Sequence, residues 1–167
     1  MNEQELEEKK KMAFSGAEED DQTAVEVPET MERCLVFESG GLIMFMSTEY
    51  VIEIINDHSV TKLPVVPDYV AGILNLRGQI LPVVDIRLLM GKPAAEYDSK
   101  TCIIVLNIDS VPIGIIVDTV RQVMDIDTAK IQPVPLRNRQ KLTNGMLDMG
   151  NGVTAMSFDC GALIGSQ

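Results

Sequence analysis

The chain has 167 residues, 46% of them apolar but only 4% aromatic, with no Trp and ten Met, so a folded core has to be built from Val, Ile, Leu and Met. A formal net charge of −11 excludes the Lys- and Arg-rich surface that nucleic acid requires and disfavours an anionic membrane surface. No apolar run reaches the roughly 18 residues of a membrane helix, and no leader with a small-residue cleavage site is seen, so neither direct membrane insertion nor secretion is expected.

The charge is uneven. Residues 1–30 carry ten acids and three bases, a net −7, against a net −4 over residues 31–167. The first segment has few large apolar residues and blocks of like charge, so it is expected to be a disordered acidic tail with at most a transient helix at Glu3–Met12. Residues 31–167 form the expected folded domain.

In that domain Cys34–Phe37 and Leu42–Met46 flank Gly40-Gly41 and predict a hairpin. Ser47 and Thr48 suit a helix N-cap, and Val51, Ile54 and Ile55 fall at helical spacing, so a short amphipathic helix is expected next. Val60–Leu63 is a candidate strand, and Asp68–Ala71 at most one helical turn. Ile73–Leu76 and Gln79–Ile86 are apolar with little alternation, as strands covered on both faces are, with Arg77-Gly78 as the turn. Pro82 cannot donate to a ladder and asks for an edge or a bulge. Asp85 suits the cap of a short helix, Ile86–Met90. Thr101–Ile108 and Val111–Val117 form the next hairpin, followed by a strand at Val120–Ile126 and a turn at Asp127–Ile131. A basic, proline-containing loop at 132–144 leads to a last hairpin around Gly150-Asn151-Gly152 and a short helix at Phe158–Ile164. About ten short strands with few helical pieces predict an all-β fold of two small barrels, with the doubly apolar runs 79–86 and 101–108 between them.

Catalytic patterns are sparse. No Walker A loop, G-x-G-x-x-G turn or G-x-S-x-G elbow occurs. His58 stands in a polar turn and is expected to be solvated. Cys34, Cys102 and Cys160 are widely spaced and odd in number, as buried thiols of a reducing compartment are, and no metal or other cofactor is expected. Asp85 and Asp118 are candidate paired carboxylates, better explained as caps or strand-end acids. A small β-barrel hydrolase would need them to converge in a pocket. The pattern favours a non-enzymatic binding module.

The motifs Gly72, Asn75-Leu76-Arg77-Gly78, Pro82-Val83-Val84-Asp85-Ile86-Arg87 and Val117-Asp118 resemble those of the CheW family of bacterial chemotaxis coupling proteins. The resemblance extends to Val51-Ile52-Glu53-Ile54 and to Ile131-Gln132-Pro133-Val134-Pro135, and covers about residues 32–165. It implies two five-stranded, SH3-like β-barrels sharing an apolar interface, with a few short helices. It also implies a scaffold that joins the cytoplasmic tips of methyl-accepting chemoreceptors to the CheW-like regulatory domain of the histidine kinase CheA. Its place would be the cytoplasm, at membrane-associated arrays, with receptor helices in a groove between barrels. The positions carried over as receptor- or kinase-binding are Arg77, Glu53, Val51, Ile54, Gly78, Cys102 and Ile103. Arg77 has three readings: a solvated turn residue, a partner for a receptor carboxylate, or an internal partner of Glu53. Met44-Phe45 is bulkier than the family's usual glycine-containing strand, a departure at the edge of the first barrel. Together with a last strand, Val153–Ser157, more polar than the family's aliphatic run and a C-terminal helix cut short at Ile164, that departure is the basis for an alternative, a divergent accessory CheW-like or CheV-like module with weakened kinase binding.

Overall fold

The structure is a computed structural model that describes Asn2 and residues 29–56, 59–135 and 141–165. Most of the expected acidic tail with its Glu3–Met12 helix, His58, and residues 136–140 of the basic loop lie outside the described residues. The chain divides into Met1–Met31 and Glu32–Gln167. Of the first unit only Asn2 and residues 29–31 are described, with a turn at 29–30.

Ten strands make up the second unit: β1 (Met31–Ser39), β2 (Leu42–Ser47), β3 (Val51–Ile55), β4 (Val70–Leu76), β5 (Gln79–Asp85), β6 (Cys102–Ile108), β7 (Val111–Val117), β8 (Thr119–Asp127), β9 (Thr143–Gly150) and β10 (Val153–Phe158). Two short helices, α1 (Ile86–Leu89) and α2 (Cys160–Gly165), and two 3-10 turns complete the described elements. The strands form two five-stranded sheets, in the orders β8-β1-β2-β10-β9 and β3-β6-β7-β5-β4.

Side-chain parity explains how the two sheets become one body. Successive residues of a strand point to opposite faces. On β6, Cys102, Ile104, Leu106 and Ile108 enter a large shared cluster, while Ile103 and Val105 enter a small cluster belonging to the second sheet. On β7, Ile113, Ile115 and Val117 face the shared cluster and Ile116 faces the small one. The first sheet does the same: Leu35, Phe37, Met44 and Met46 face the shared cluster, and Cys34, Val36 and Phe45 face its own. Phe37 and Phe158 meet edge to face in the shared cluster, 5.7 Å between centroids. The apolar interface between the sheets is therefore the largest core of the fold, and the strands that build it are apolar on both sides.

Each sheet curls until its edges nearly meet. After β3, Thr61 exchanges two backbone hydrogen bonds with Ile73 of β4, both 2.9 Å. After β8, Gln132 does the same with Met146 of β9, both 2.8 Å. In both places a glycine precedes the bridged residue. A Cβ on Gly72, whose φ is +148°, would fall 2.1 Å from the Thr61 carbonyl oxygen. One on Gly145 would fall 2.6 Å from Ile131 Cγ2. The two halves thus use the same device to bring an edge back on itself.

Two expectations are corrected and that for Pro82 is met. Residues 47–55 are not an amphipathic helix. A 3-10 turn at Thr48–Tyr50, capped by Ser47 Oγ, leads into β3, whose β-branched VIEII sequence pairs with β6. Helical spacing of Val51, Ile54 and Ile55 was coincidental with a bulge between Val51 and Glu53, which moves the strand's parity by one. Pro82 lies in an interior strand, and the expected irregularity is present one residue on: the β4–β5 register shifts between Val70 and Gly72, opposite Val84 and Val83, and the parallel pairing of β5 with β7 begins only at Val83. Met44 and Phe45 are not at an edge: β2 lies between β1 and β10, and both side chains are buried.

Replacing Gly72 by Ala is expected to cost about 2–4 kcal/mol, because the methyl group collides with backbone rather than with a movable side chain. Urea unfolding of Gly72→Ala should show a lowered midpoint, and loss of amide protection should begin at Thr61 and Ile73.

Candidate functional site

Arg77 and Gly78 are the two central residues of the β4–β5 hairpin, with φ of +51° and +84°. Positive φ at both positions is the geometry whose twist suits a two-residue hairpin. Gly78 adopts it freely, and its N–H is held by Asn75 Oδ1 at 3.1 Å. Arginine there costs on the order of 1 kcal/mol, which Asn or Gly would largely avoid. The turn therefore does not explain the arginine; its side chain must.

The guanidinium grips Glu53 with a fork. Nη1 donates to Oε1 at 2.5 Å and Nη2 to Oε2 at 3.4 Å. Glu53 lies on β3 and Arg77 at the tip of the β4–β5 hairpin, so the pair spans the two opposite edges of one sheet. It reaches across the same opening as the Thr61–Ile73 bridge. The Arg77 side chain is 74% exposed and that of Glu53 27%, so the arginine presents outward from a partly covered carboxylate.

The elements that carry the pair also expose hydrocarbon. Ile52 and Ile54 of β3 and Ile80, two residues beyond Gly78, are 49%, 41% and 62% exposed. Val51 is half-buried against the shared core. The structure therefore brings Arg77 and Glu53 together, with Gly78 beside Arg77 in the turn; Val51 and Ile54 share strand β3 with Glu53, and Ile54 alternates to the strand's other face. Cys102 and Ile103 lie on β6 next to β3 but are buried, Cys102 in the shared core and Ile103 in the core of the second sheet. Ile103 also floors a cleft of about 570 Å³ walled by Val60, Leu63, Val66 and Tyr97. Sequence reasoning missed Ile52 and Ile80. A strand reading of VIEII would have exposed the first; the second was hidden in a run taken to be covered on both faces.

Asp85 and Asp118 do approach each other, but around a buried cation rather than in a pocket. Asp85 caps α1, with Oδ1 accepting from the Arg87 N–H at 3.0 Å and Oδ2 from the Tyr97 hydroxyl at 3.1 Å. Asp118 Oδ2 accepts from the Gly40 N–H at 3.0 Å. Arg87 Nε lies 3.6 Å from Asp85 Oδ1 and 3.2 Å from Asp118 Oδ1. The three cysteines are free and buried. Burial pushes the Cys34 thiol up to about 11 and that of Cys160 to about 12. Among the described residues no His, Cys, Asp or Glu cluster is arranged to hold a metal ion.

A profile of the CheW-like domain family matches residues 33–167. The chain is 35% identical over 101 residues to the chemotaxis protein CheW of Klebsiella aerogenes, covering 60% of this chain and 61% of that protein. It is 40% identical over 75 residues to CheW of Rhizobium meliloti, covering 45% of this chain and 48% of that one. The matches thus span about half to three fifths of the length of these relatives. The fold is also similar to the crystal structure of the scaffolding protein TtCheW from Thermoanaerobacter tengcongensis, with a TM-score of 0.70 and 28% identity over 76% of this chain and 88% of that one.

Because Arg77 is mostly exposed, its pair with Glu53 should add little to stability. A double-mutant cycle with Arg77→Ala and Glu53→Gln is expected to give a coupling of about 0.2–1 kcal/mol in thermal or urea unfolding. The thiols act at high pH. Their folded pKa values lie above the ordinary 9.0, so they favour the folded state fully below pH 9 and lose that contribution as pH rises from 9 to about 12. Unfolding midpoints measured across that range should fall, and the fall should shrink in Cys160→Ala.

Proposed function

The chain belongs to the family of CheW-like domains, and from that premise we propose that it is a non-catalytic adaptor of bacterial chemotaxis that couples chemoreceptor signalling tips to the histidine kinase CheA. Residues 31–167 are the coupling domain in this reading. It acts by binding two partners at once, which raises the effective concentration of kinase beside receptor. The kinase carries the catalysis.

The observation that carries the reading is the Arg77–Glu53 fork, exposed at a sheet opening, with exposed Ile52 and Ile54 on the strand of Glu53 and exposed Ile80 next to the hairpin tip in sequence. A helical receptor tip offers an apolar stripe with charged residues beside it, and this rim offers the complement. Arginine has five N–H donors, and the fork to Glu53 uses two, so donors remain for a carboxylate on the partner. Glu53 holds the guanidinium in place beforehand, which lowers the entropy lost on docking. The low intramolecular value of an exposed pair fits a role in specificity rather than in folding. Val51 anchors the start of β3 against the shared core, and Gly78 lets the hairpin tip turn. Cys102 and Ile103 fit this reading only as core packing of β6, the strand next to β3. In the cell the protein would work on the cytoplasmic side, within receptor arrays.

The kinase's own CheW-like domain is the second partner. The weakened kinase binding of the divergent alternative was motivated by Met44 and Phe45. Both fill cores, so no exposed feature of β2 favours it.

Titration calorimetry against the kinase regulatory domain and against receptor tip fragments, each alone, is the direct test. Micromolar binding to both is expected. Arg77→Asn should weaken receptor binding about tenfold, roughly 1.4 kcal/mol, with kinase binding retained. Absence of micromolar binding to either partner would overturn the proposal.

A further inference from the structure

A second constellation of charge lies away from the Arg77 rim. The side chain of Arg87 is only 6% exposed, and its neighbours come from separate parts of the fold. Asp85 ends β5, and Tyr97, in the loop after α1, places its ring 5.8 Å from the guanidinium carbon. Asp118 is the single residue between β7 of one sheet and β8 of the other. Its N–H donates to the Glu38 carbonyl of β1 at 2.9 Å, and its Oδ2 holds the Gly40 N–H in the β1–β2 turn. That turn also lies against the arginine stem: a Cβ on Gly40 would come within 3.4 Å of Arg87 Cγ. Arg87 thus belongs to the second sheet by chain and is held to the first through Asp118.

Such a cluster is a poor source of stability. Two carboxylates surround one guanidinium, and Arg87 Nε, Arg87 Nη2 and Asp118 Oδ1 are buried without an aligned hydrogen bond. Desolvation offsets much of the Coulomb attraction, and apolar side chains of similar volume would hold the sheets together at least as well. What the charges add is direction. Apolar attraction scales with buried area and has none, so the shared core resists separation of the sheets more than a change of angle between them.

We infer that Arg87 is a positioning residue that sets the orientation of the two sheets, and with it the bearing of the Arg77–Glu53 rim relative to docking surfaces on the first sheet. The orientation is a property of this chain alone; its consequence for coupling rests on the adaptor reading.

The test places nitroxide labels at Val111→Cys on β7 and Val123→Cys on β8, both exposed, and measures their separation by pulsed electron paramagnetic resonance. The native thiols are buried and stay unlabelled. The parent should give one narrow distance distribution. In Arg87→Met and in Asp118→Asn, folded by circular dichroism, the distribution should broaden or shift. An unchanged distribution in both overturns the inference. Should Arg87→Met fail to fold, Asp118→Asn decides alone, a broadened distribution supporting the inference and an unchanged one refuting it. A binding arm separates the two readings. Arg87→Met should keep each binary affinity and lose the ternary complex, whereas equal loss of both refutes a positioning role in coupling. If the parent binds neither partner, the adaptor reading fails and the distance measurement still decides the orientation.

Discussion

The fold depends on strands that must be apolar on both faces. β1, β2, β6 and β7 each send alternate side chains into the shared cluster and the others into a small private one. Neither private cluster, six buried residues apiece, is large enough to hold a five-stranded sheet by itself. The shared cluster supplies the missing burial, so the two sheets are expected to fold and unfold together. The same constraint buries the candidates on the inner strand β6, Cys102 and Ile103, and leaves the exposed ones at the periphery. Arg77 sits at a hairpin tip, and Ile52 and Ile54 sit on an edge strand.

Edges are the second constraint. An open sheet edge invites pairing with other chains. Here the edges of each sheet are drawn together by one backbone bridge, at Thr61–Ile73 and at Gln132–Met146. Glycines at 72 and 145 make room for the closing segment. The Arg77–Glu53 fork crosses the same opening in the second sheet, so the proposed recognition feature stands where the edges of the sheet approach each other. β3 is the exposed member there, and its bulge between Val51 and Glu53 disrupts the regular ladder that a stray strand would need.

What was legible in the sequence follows from how local each signal is. The β4–β5, β6–β7 and β9–β10 hairpins were readable because Arg77-Gly78, Asp109-Ser110 and Gly150-Asn151-Gly152 are short turns between apolar runs. Asp85 was readable as a cap because capping acts within a few residues. The family motifs marked Arg77 and Glu53 without saying whether they meet. That contact joins residues 24 apart through sheet curvature, which no local pattern encodes. β3 was misread because a bulge changed its parity and a two-residue period then imitated a helical one. Met44 and Phe45 were misplaced because being interior or at an edge is decided by strand order, with β10 arriving from the far end of the chain to cover β2.

The two arginines of the motif divide the work of charge in opposite ways. Arg77 is paired where water screens it, so the pair contributes little to folding and can exchange partners at small cost. Arg87 and Asp85 are buried while Asp118 is partly exposed, so Arg87 cannot leave without stranding Asp85. One is therefore suited to recognition and the other to geometry. The spacing between them enforces this. β5 runs from the exposed hairpin tip at Arg77-Gly78 to the buried cap at Asp85, and its length carries the chain from the rim to the junction of the sheets. A single strand thus connects the residue that would contact a partner to the residue that would fix how that contact is presented.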